Sequence, residues 1–195
     1  IDENNHKYNT DSYPLSMKDL CTIENIGSLI DLGIDSFKIE GRMKRPEYVY
    51  LVVSLYRKAI DNYISKGNVD ITNQEIIELK KIYNRLFTKG YIFNETDVVN
   101  TFRPNHLGIN IGKVMKIDTN KVYVKLNDSL CKEDGIRFLN KEEDTGLIVT
   151  KMFKDGKDIV EAKKGDIIGI KTNVKCDIGS TVIKTTDNEQ IINIK

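Results

Sequence analysis

The spacing of apolar residues changes once along this chain, near residue 100, and that change limits the folds open to it. Before it, apolar side chains recur three and four residues apart, as at Val49, Val52 and Tyr56, which is the spacing of a helix. After it, short β-branched segments such as GINIGKVMKI and KVYVKL alternate apolar and polar residues between turns. The sequence therefore predicts a helical front half and an all-β back half.

Two strands and a helix are predicted at the start of the front half. The segments YPLSM, 13–17, and IDSFKIE, 34–40, read as strands, and the spacing between them predicts a helix. Asp19 is the expected N-cap of that helix, and Gly33 is the expected glycine just beyond its end.

Two longer helices are predicted next. Pro46 fits the first turn of one, which Gly67 ends, and the other spans 73–88 and stops at Gly90.

Strand–helix–strand crossovers build parallel sheets, but two strands are too few for a stable sheet. The front half is therefore expected to be the end of a (β/α) barrel, with two βα units and an extra helix.

The back half contains seven alternating segments at intervals of roughly ten residues, which is typical of a small closed barrel or a sandwich. The predicted fold class is α+β. The predicted divisions are a disordered or extended tail at 1–12, the βα units at 13–100, a linker at 101–107 and a small β-barrel at 108–195.

Charge and cysteine content limit the kinds of partner and cofactor that are expected for this chain. The formal net charge of +1 gives no overall field that would select nucleic acid or an anionic membrane. Three widely spaced cysteines, Cys21, Cys131 and Cys176, predict reduced thiols in a cytoplasmic protein and no metal site. The two histidines, His6 and His106, fall in the tail and the linker, without a catalytic partner in the sequence.

The stretch DSFKIEGRMKRPEYV, 35–49, carries the strongest chemical signal. With strand spacing, Lys38, Glu40 and Arg42 share one face, opposite the apolar residues. In a (β/α) barrel that face lines the interior and the rim where active sites lie. A Lys–Glu pair there could position a substrate or serve as acid and base, and Arg42 could hold a carboxylate or phosphate. The alternative is a structural ion pair inside the barrel.

The segments LSMKDL, DSFKIEGRMKRPEYVYLVVSLYRKAIDNY and RPNHLGINIGKV together resemble peptidase family U32, the collagenase-like peptidases of bacteria. The resemblance covers about residues 13–115 and implies that S-x-K-D-L and K-I-E-G-R close a (β/α) barrel. The back half is similar to the β-barrel of domain two in translation factors, through GKV, DGIRFL and a Gly-Asp turn. The implied site contains the catalytic candidates Lys38, Glu40 and Arg42 and the substrate-binding candidates Lys18, Asp19 and Lys44.

The resemblance leaves three functions open. The family name implies a collagenase-like peptidase, and the chain is expected to be its C-terminal portion, inactive alone, with a barrel that binds substrate or a partner. Other family members are implicated in hydroxylating tRNA or rRNA bases, with an iron–sulfur cluster expected upstream of this chain. The third alternative is a non-catalytic binding module.

Uncovered strand edges in the front half also predict self-association, and no membrane partner is expected.

Overall fold

Two hydrophobic cores organise residues 13–195, which are the residues that this computed structural model describes. One core lies among the helices of the front half, and the other lies inside the curled sheet of the back half. The expected tail at 1–12, including His6, lies outside the described residues. Within them, no helix is both long and apolar enough to cross a membrane. The chain is therefore a mixed helix and strand protein, as the change of period predicts.

The front half forms three helices and one pair of two-residue strands. In chain order these are β1 (Asp19–Leu20), α1 (Ile26–Asp31), α2 (Pro46–Lys66), α3 (Asn73–Ile82) and β2 (Phe87–Thr88). β1 and β2 are parallel neighbours. The buried side chains that hold the helices together are Ile23, Ile26, Leu29, Val52, Leu55, Ala59 and Leu79.

Local sequence signals set the ends of the two longer helices. Pro46 occupies the first turn of α2, and Gly67 ends it in the left-handed conformation at φ 74°, as predicted. At the start of α3, the side chains and backbones of Thr72 and Glu75 form a reciprocal capping box. Gly33 follows α1 at φ 81°, which also matches the prediction.

The strands predicted at 13–17 and 34–40 do not form. Met17 makes only an isolated bridge to Val99, and 34–40 has no strand partner among residues 13–195. A strand is held by hydrogen bonds to a neighbouring strand, so an alternating sequence without a neighbour does not become one. In 34–40 the alternation correctly indicates that Phe37 and Ile39 face the core, but it does not show whether the segment pairs with another strand.

Two predictions around the short helices are also wrong. Asp19 lies in β1 and caps no helix, because its carboxylate binds an arginine at the entrance to β2. The helix predicted over 73–88 ends at Ile82, and Leu86 follows in the left-handed conformation at φ 69°, which a helix does not allow. Gly90 precedes a short 3₁₀ turn and stops no helix.

The back half forms ten strands and a final helix. They are β3 (Ile109–Asp118), β4 (Lys121–Leu126), β5 (Leu130–Cys131), β6 (Gly135–Leu139), β7 (Thr145–Ile148), β8 (Met152–Lys154), β9 (Lys157–Ile159), β10 (Glu161–Ala162), β11 (Ile167–Lys171), β12 (Thr181–Thr186) and α4 (Asn188–Ile194). Each of the seven predicted segments contributes at least one strand. The sequence pattern did not predict α4.

Eight of these strands form one antiparallel sheet in the order β7-β6-β12-β3-β4-β11-β8-β9. The sheet curls into a half-barrel around its own apolar core, so the prediction of a closed barrel is correct only in part. A separate β5–β10 pair connects the chain just before β6 with the chain just after β9. The segment 101–108 contains no helix or strand and leads from the front half into β3.

A buried cluster of charges, formed by Lys81, Asp134, Lys184 and Asp187 and called here the ion cluster, joins the two halves. Lys184 Nζ lies 2.9 Å from Asp134 Oδ2 and 3.2 Å from Asp187 Oδ2, and its side chain is only 3% exposed. Lys81 of α3 reaches the same Asp187 carboxylate at 3.2 Å. The ion cluster therefore ties α3 to β12 and to the start of α4.

The ion cluster predicts a loss of stability in acid. Burial would raise the pKa of Asp187, but the Gln190 backbone N–H, Lys184 and Lys81 lower it more, so the net pKa is below its usual value. The ionised Asp187 carboxylate therefore contributes its full share of the free energy of unfolding above the unfolded-state pKa of about 3.9. That share is lost as the pH falls through the lower pKa of the folded state. Denaturant unfolding between about pH 2 and pH 6 should show a shallower acid decline for Asp187→Asn, which keeps the helix cap. Equal declines would contradict this.

Candidate functional site

A pocket of about 650 Å³ opens in the front half. β1 and the residues after it form one wall, the segment 34–44 forms the second, and the facing side of α2 closes the bottom. Tyr83 and Arg85, from the chain between α3 and β2, complete the rim. Chain segments that are far apart in sequence therefore meet around one cavity.

The structure brings five of the six predicted site residues to this pocket. They are Asp19, Lys38, Glu40, Arg42 and Lys44. Lys18 is not among the lining residues, and its Nζ lies 2.7 Å from the Asp97 carboxylate and 3.0 Å from the Asp97 carbonyl. The roles of all six residues stay predictions.

The segment that carries most of these residues keeps its two-sided character without being a strand. Phe37 and Ile39 pack against the front core, whereas Lys38, Glu40 and Arg42 are exposed at the pocket. Glu40 Oε1 accepts a hydrogen bond of 2.8 Å from the Arg42 backbone N–H. Within residues 13–195, Lys38 and Glu40 form no ion pair with each other, so the predicted buried pair is absent there. Neither side chain forms an ion pair with any other residue in the range 13–195.

Asp19 is held by an arginine that the sequence pattern did not single out. Its Oδ2 accepts a hydrogen bond of 2.7 Å from the Arg85 backbone, and its Oδ1 accepts bonds of 3.0 and 2.7 Å from Arg85 Nε and an Arg85 terminal nitrogen. Two guanidinium N–H groups thus bind one carboxylate oxygen and the backbone N–H binds the other, and such charge-assisted hydrogen bonds are stronger than neutral ones. It braces β1 against β2, so Asp19 has a structural use at the edge of the pocket.

Removing the Asp19 carboxylate should therefore weaken the front half. We expect Asp19→Ala to lower the free energy of unfolding by about 1–3 kcal/mol, because three hydrogen bonds to Arg85 are lost from a partly buried site. Chemical denaturation followed by circular dichroism measures this. Asp61→Ala removes an exposed partner of Arg57 and should change stability by less than about 1 kcal/mol. Equal effects of the two variants would contradict the structural role.

A stack of cationic and aromatic groups lies beside the pocket. Lys44 Nζ is 3.0 Å from the centre of the Tyr83 ring, and His106 stacks on Tyr83 at 5.1 Å with an interplanar angle of 14°. Tyr48 meets Tyr83 edge-on at 6.2 Å. A lysine over an aromatic face is attractive through the ring quadrupole, so the stack fixes where Lys44 enters the pocket.

His106 is a structural residue in this arrangement. Its Nδ1 accepts hydrogen bonds from the backbone N–H groups of Asn84 and Gly108, and its Nε2 lies 3.2 Å from the Lys81 carbonyl, to which it donates. Burial lowers the pKa of His106, which keeps the ring neutral and suits this bonding. The residue connects the segment 101–108 to the end of α3.

Cys21 and Tyr56 face the pocket but keep their protons near neutral pH. Burial raises the pKa of the Cys21 thiol. Burial, and next the nearby Cys21, raise the pKa of Tyr56 to about 12, and the Tyr56 hydroxyl accepts a 3.0 Å hydrogen bond from the Thr22 backbone. A catalytic thiol needs a lowered pKa, so Cys21 does not have the environment of a nucleophile.

The described residues do not fit a metal or an iron–sulfur cluster. Among residues 13–195, no group of three or more His, Cys, Asp or Glu side chains is placed to hold a metal ion. Cys21, Cys131 and Cys176 are all free thiols. A cluster of this kind takes several cysteine thiolates at one place, so this part of the chain does not supply them.

Curated proteins similar to this chain fall into two functional groups. An uncharacterized protease of Methanocaldococcus jannaschii is 35% identical over 83% of this chain. A tRNA hydroxylation protein of Bacillus subtilis is 36% identical over 77% of the chain, and a 23S rRNA 5-hydroxycytidine synthase of Escherichia coli is 30% identical over 74%. The chain spans 42%, 38% and 23% of these three relatives, in that order.

The family assignment rests on the front half. Residues 1–101 match the sequence profile of peptidase family U32, and this match includes every residue of the pocket. It covers more than half of the chain and agrees with the resemblance carried by the KDL and KIEGR segments. The chain belongs to peptidase family U32.

Proposed function

We propose that this chain is the C-terminal part of a U32 enzyme that hydroxylates RNA bases, and that the front-half pocket holds part of the RNA substrate. The observation that carries the proposal is the charge of the pocket: Lys38, Arg42 and Lys44 reach it within one short segment, next to Tyr48 and Tyr83. Lysine and arginine bind phosphate, which is the charged group of RNA. An RNA substrate would also make the enzyme cytoplasmic.

The pocket is proposed to be completed by residues outside this chain. The chain spans less than half the length of the three relatives described above, and β1 and β2 are only two residues long. On this proposal, β1, β2 and the segment 34–40 belong to a (β/α) barrel that the rest of the enzyme closes, with a translation-factor-like half-barrel after it. The iron–sulfur cluster, if used, would bind outside residues 13–195. The chain alone would then be inactive.

A peptidase is the second candidate. The relative from Methanocaldococcus jannaschii that is named a protease matches 83% of this chain, so the similarity to it includes both halves. The pocket offers Glu40 as an exposed carboxylate, but the raised pKa of Cys21 argues against a thiol nucleophile here. We rank this candidate second because the free charges of the pocket are mostly positive.

The test compares modified nucleosides in cells. Mass spectrometry of total tRNA and rRNA should show that deleting the gene removes a hydroxylated nucleoside. A gene copy that carries both Lys38→Ala and Arg42→Ala should restore less than about a tenth of the wild-type amount of that nucleoside. The reason is that each lost phosphate contact weakens RNA binding several-fold. Lys66→Ala, at the exposed end of α2, is the matched control and should restore it fully. Unchanged nucleosides after deletion would overturn the proposal.

Incubation of the 195-residue chain with gelatin and fluorogenic peptides separates the two candidates. We expect no cleavage, because the described residues present no activated nucleophile. Cleavage that is lost in Glu40→Ala would contradict the expected inactivity and would favour the peptidase.

We also propose that the isolated chain self-associates through its front half. Leu15, Leu20 and Met43 are 90%, 60% and 95% exposed, and within residues 13–195 β1 and β2 each have an open edge. Exposed apolar groups beside open edges promote pairing between copies. Light scattering should show a mass that rises with concentration, and Leu20→Lys should reduce the rise. A monomer at all concentrations would contradict this.

A further inference from the structure

The outer face of the half-barrel carries an ordered array of lysines. Along β4, Val122 and Val124 are buried in the core, whereas Lys121, Tyr123 and Lys125 point to the other side. The same alternation holds on β8 and β11, whereas on β3 a bulge between Val114 and Lys116 interrupts it and leaves Lys116 opposite Tyr123. The outward basic and uncharged residues of these strands, with Lys151 just before β8, form what we call the lysine–aromatic face: Lys113, Lys116, Lys121, Tyr123, Lys125, Lys151, Phe153, Ile167, Gly169 and Lys171.

Strand register places several of these lysines directly opposite one another. Lys113 of β3 is paired with Lys125 of β4, and Lys121 of β4 is paired with Lys171 of β11. Like charges at directly opposite positions destabilise a sheet. Two such pairs on one face are difficult to explain by folding alone, and they favour a function for the charge.

The acidic residues on this face neutralise it only in part. Asp118 lies 3.2 Å from Lys116, and Asp158 lies 3.0 Å from Lys151. Both pairs are largely exposed, so each is worth about 0–1 kcal/mol and a competing anion can displace it. The face therefore has a net positive charge although the whole chain is nearly neutral.

Two aromatic rings lie at the centre of the array. Tyr123 is paired with Gly169, and Gly169 is paired with Phe153, so one row of the sheet runs aromatic, glycine, aromatic. Neighbouring strands are about 4.8 Å apart, which puts the two aromatic residues roughly 10 Å apart. The Tyr123 ring lies over Gly169, where an added Cβ would stand 3.4 Å from the ring atom Cε1. Lys116 and Lys121 lie 5.3 and 4.6 Å from the centres of the Tyr123 and Phe153 rings.

We propose that the lysine–aromatic face binds single-stranded RNA. The lysines would contact the phosphates, and Tyr123 and Phe153 would each stack on a base, which is how sheet surfaces bind single strands. The face lies on β3, β4, β8 and β11, whereas the front-half pocket is lined by residues 19–92. The choice of RNA as the polyanion rests on the proposed function. The positions of charges and rings do not depend on it.

The binding test uses the 195-residue chain and a fluorescently labelled oligouridine of about twelve nucleotides. Fluorescence anisotropy gives the dissociation constant at several salt concentrations. Lys125→Glu together with Lys171→Glu should raise that constant at least about tenfold at low salt. It should also reduce the slope of log affinity against log salt by about 1.4, since each phosphate contact contributes about 0.7.

Stability separates this result from misfolding. Lys125→Glu and Lys171→Glu each place a carboxylate opposite a lysine, at Lys113 and Lys121, so the melting temperature should not fall. A variant that is at least as stable yet binds RNA more weakly is not explained by unfolding. Lys66→Glu with Lys132→Glu changes the net charge equally at exposed positions away from the face, and should bind within about twofold of wild type.

The aromatic residues have their own test. Tyr123→Ala and Phe153→Ala should each weaken binding at least about fivefold with little change in the salt slope, while Tyr123→Phe, which keeps the ring, should bind like wild type. Three outcomes would overturn the proposal: equal losses in the control lysine pair, no loss in either alanine variant, or competition by oligoglutamate as strong as by RNA. The nucleoside assay above uses pocket variants and cellular RNA, so its result is independent of this one.

Discussion

Lys184→Met is expected to lower the free energy of unfolding by about 3–5 kcal/mol, which is the range for breaking a buried ion pair on one side. The methionine would fill the space of the lysine but leave Asp134 without a cation and Asp187 with Lys81 alone. Asp134 is fully buried and Asp187 nearly so, and both lie within 3.2 Å of Lys184 Nζ. Burial alone would lower the pKa of Lys184, but these carboxylates raise it, so the lysine is charged at neutral pH.

Denaturant unfolding at neutral pH measures this loss, and Lys58→Met is the matched control. Lys58 pairs with Glu75 at 2.7 Å, but its side chain is 40% exposed, so the control should cost less than about 1 kcal/mol. If Lys184→Met lowers the free energy of unfolding as little as Lys58→Met does, the ion cluster is hydrated. In that case the ion cluster does not hold α3 against β12. Because Lys81 shares Asp187, unfolding of the front half should be affected as well.

The position of Lys184 illustrates what a period-two pattern leaves out. In STVIKT, alternation predicts that successive residues face opposite sides, yet Val182, Ile183 and Lys184 are all buried. β12 pairs with β6 without a shift at these residues: Val182 lies opposite Phe138 and Lys184 opposite Ile136, so period two gives the side of the lysine correctly. The shift between Val182 and Ile183 belongs to β3, where Ile111 is the extra residue. The pattern does not show that both sides of β12 are covered, since α3 contacts the strand as well. The strand was therefore predictable, but the burial of its lysine was not.

The ends of α2 were predictable because the signals are local. Proline fits only the first turn of a helix, and glycine is preferred where the backbone becomes left-handed, so Pro46 and Gly67 are sufficient. The end of α3 was missed because it depends on distant partners. There the chain leaves the helix to let Arg85 bind Asp19, which is 66 residues away.

The candidate site shows the same difference between features set by local sequence and features set by distant contacts. The sequence could predict that Lys38, Glu40 and Arg42 lie together because one short segment carries all three, and their roles stay predictions. Arg85 and Tyr83 reach the pocket through the parallel β1–β2 pair and the stack on His106. Two-residue strands give too little pattern for sequence-based detection. The clustering of charged side chains within one segment could thus be predicted, whereas the far wall of the pocket could not.

Gly108→Ala is expected to cost more than about 3 kcal/mol, at the upper end of single substitutions. Gly108 has φ 54°, and a Cβ there would stand 1.7 Å from the Lys184 carbonyl oxygen, so the backbone of β12 or of the segment 101–108 would have to move. The Gly108 carbonyl also accepts a 2.9 Å hydrogen bond from Asn84 Nδ2. Movement there would disturb the contact between the halves.

Gly156→Ala separates this close approach from ordinary backbone strain. Gly156 also has a positive φ, of 79°, but nothing stands within 4 Å of its Cβ position. Its substitution should therefore cost only about 1 kcal/mol, from the left-handed conformation alone. Equal losses of stability in the two variants would show that β12 and the segment 101–108 are not in contact in solution. A larger loss at Gly108, accompanied by weaker protection of the amides of α3 from hydrogen exchange, is expected because Asn84 and His106 couple that helix to the same backbone.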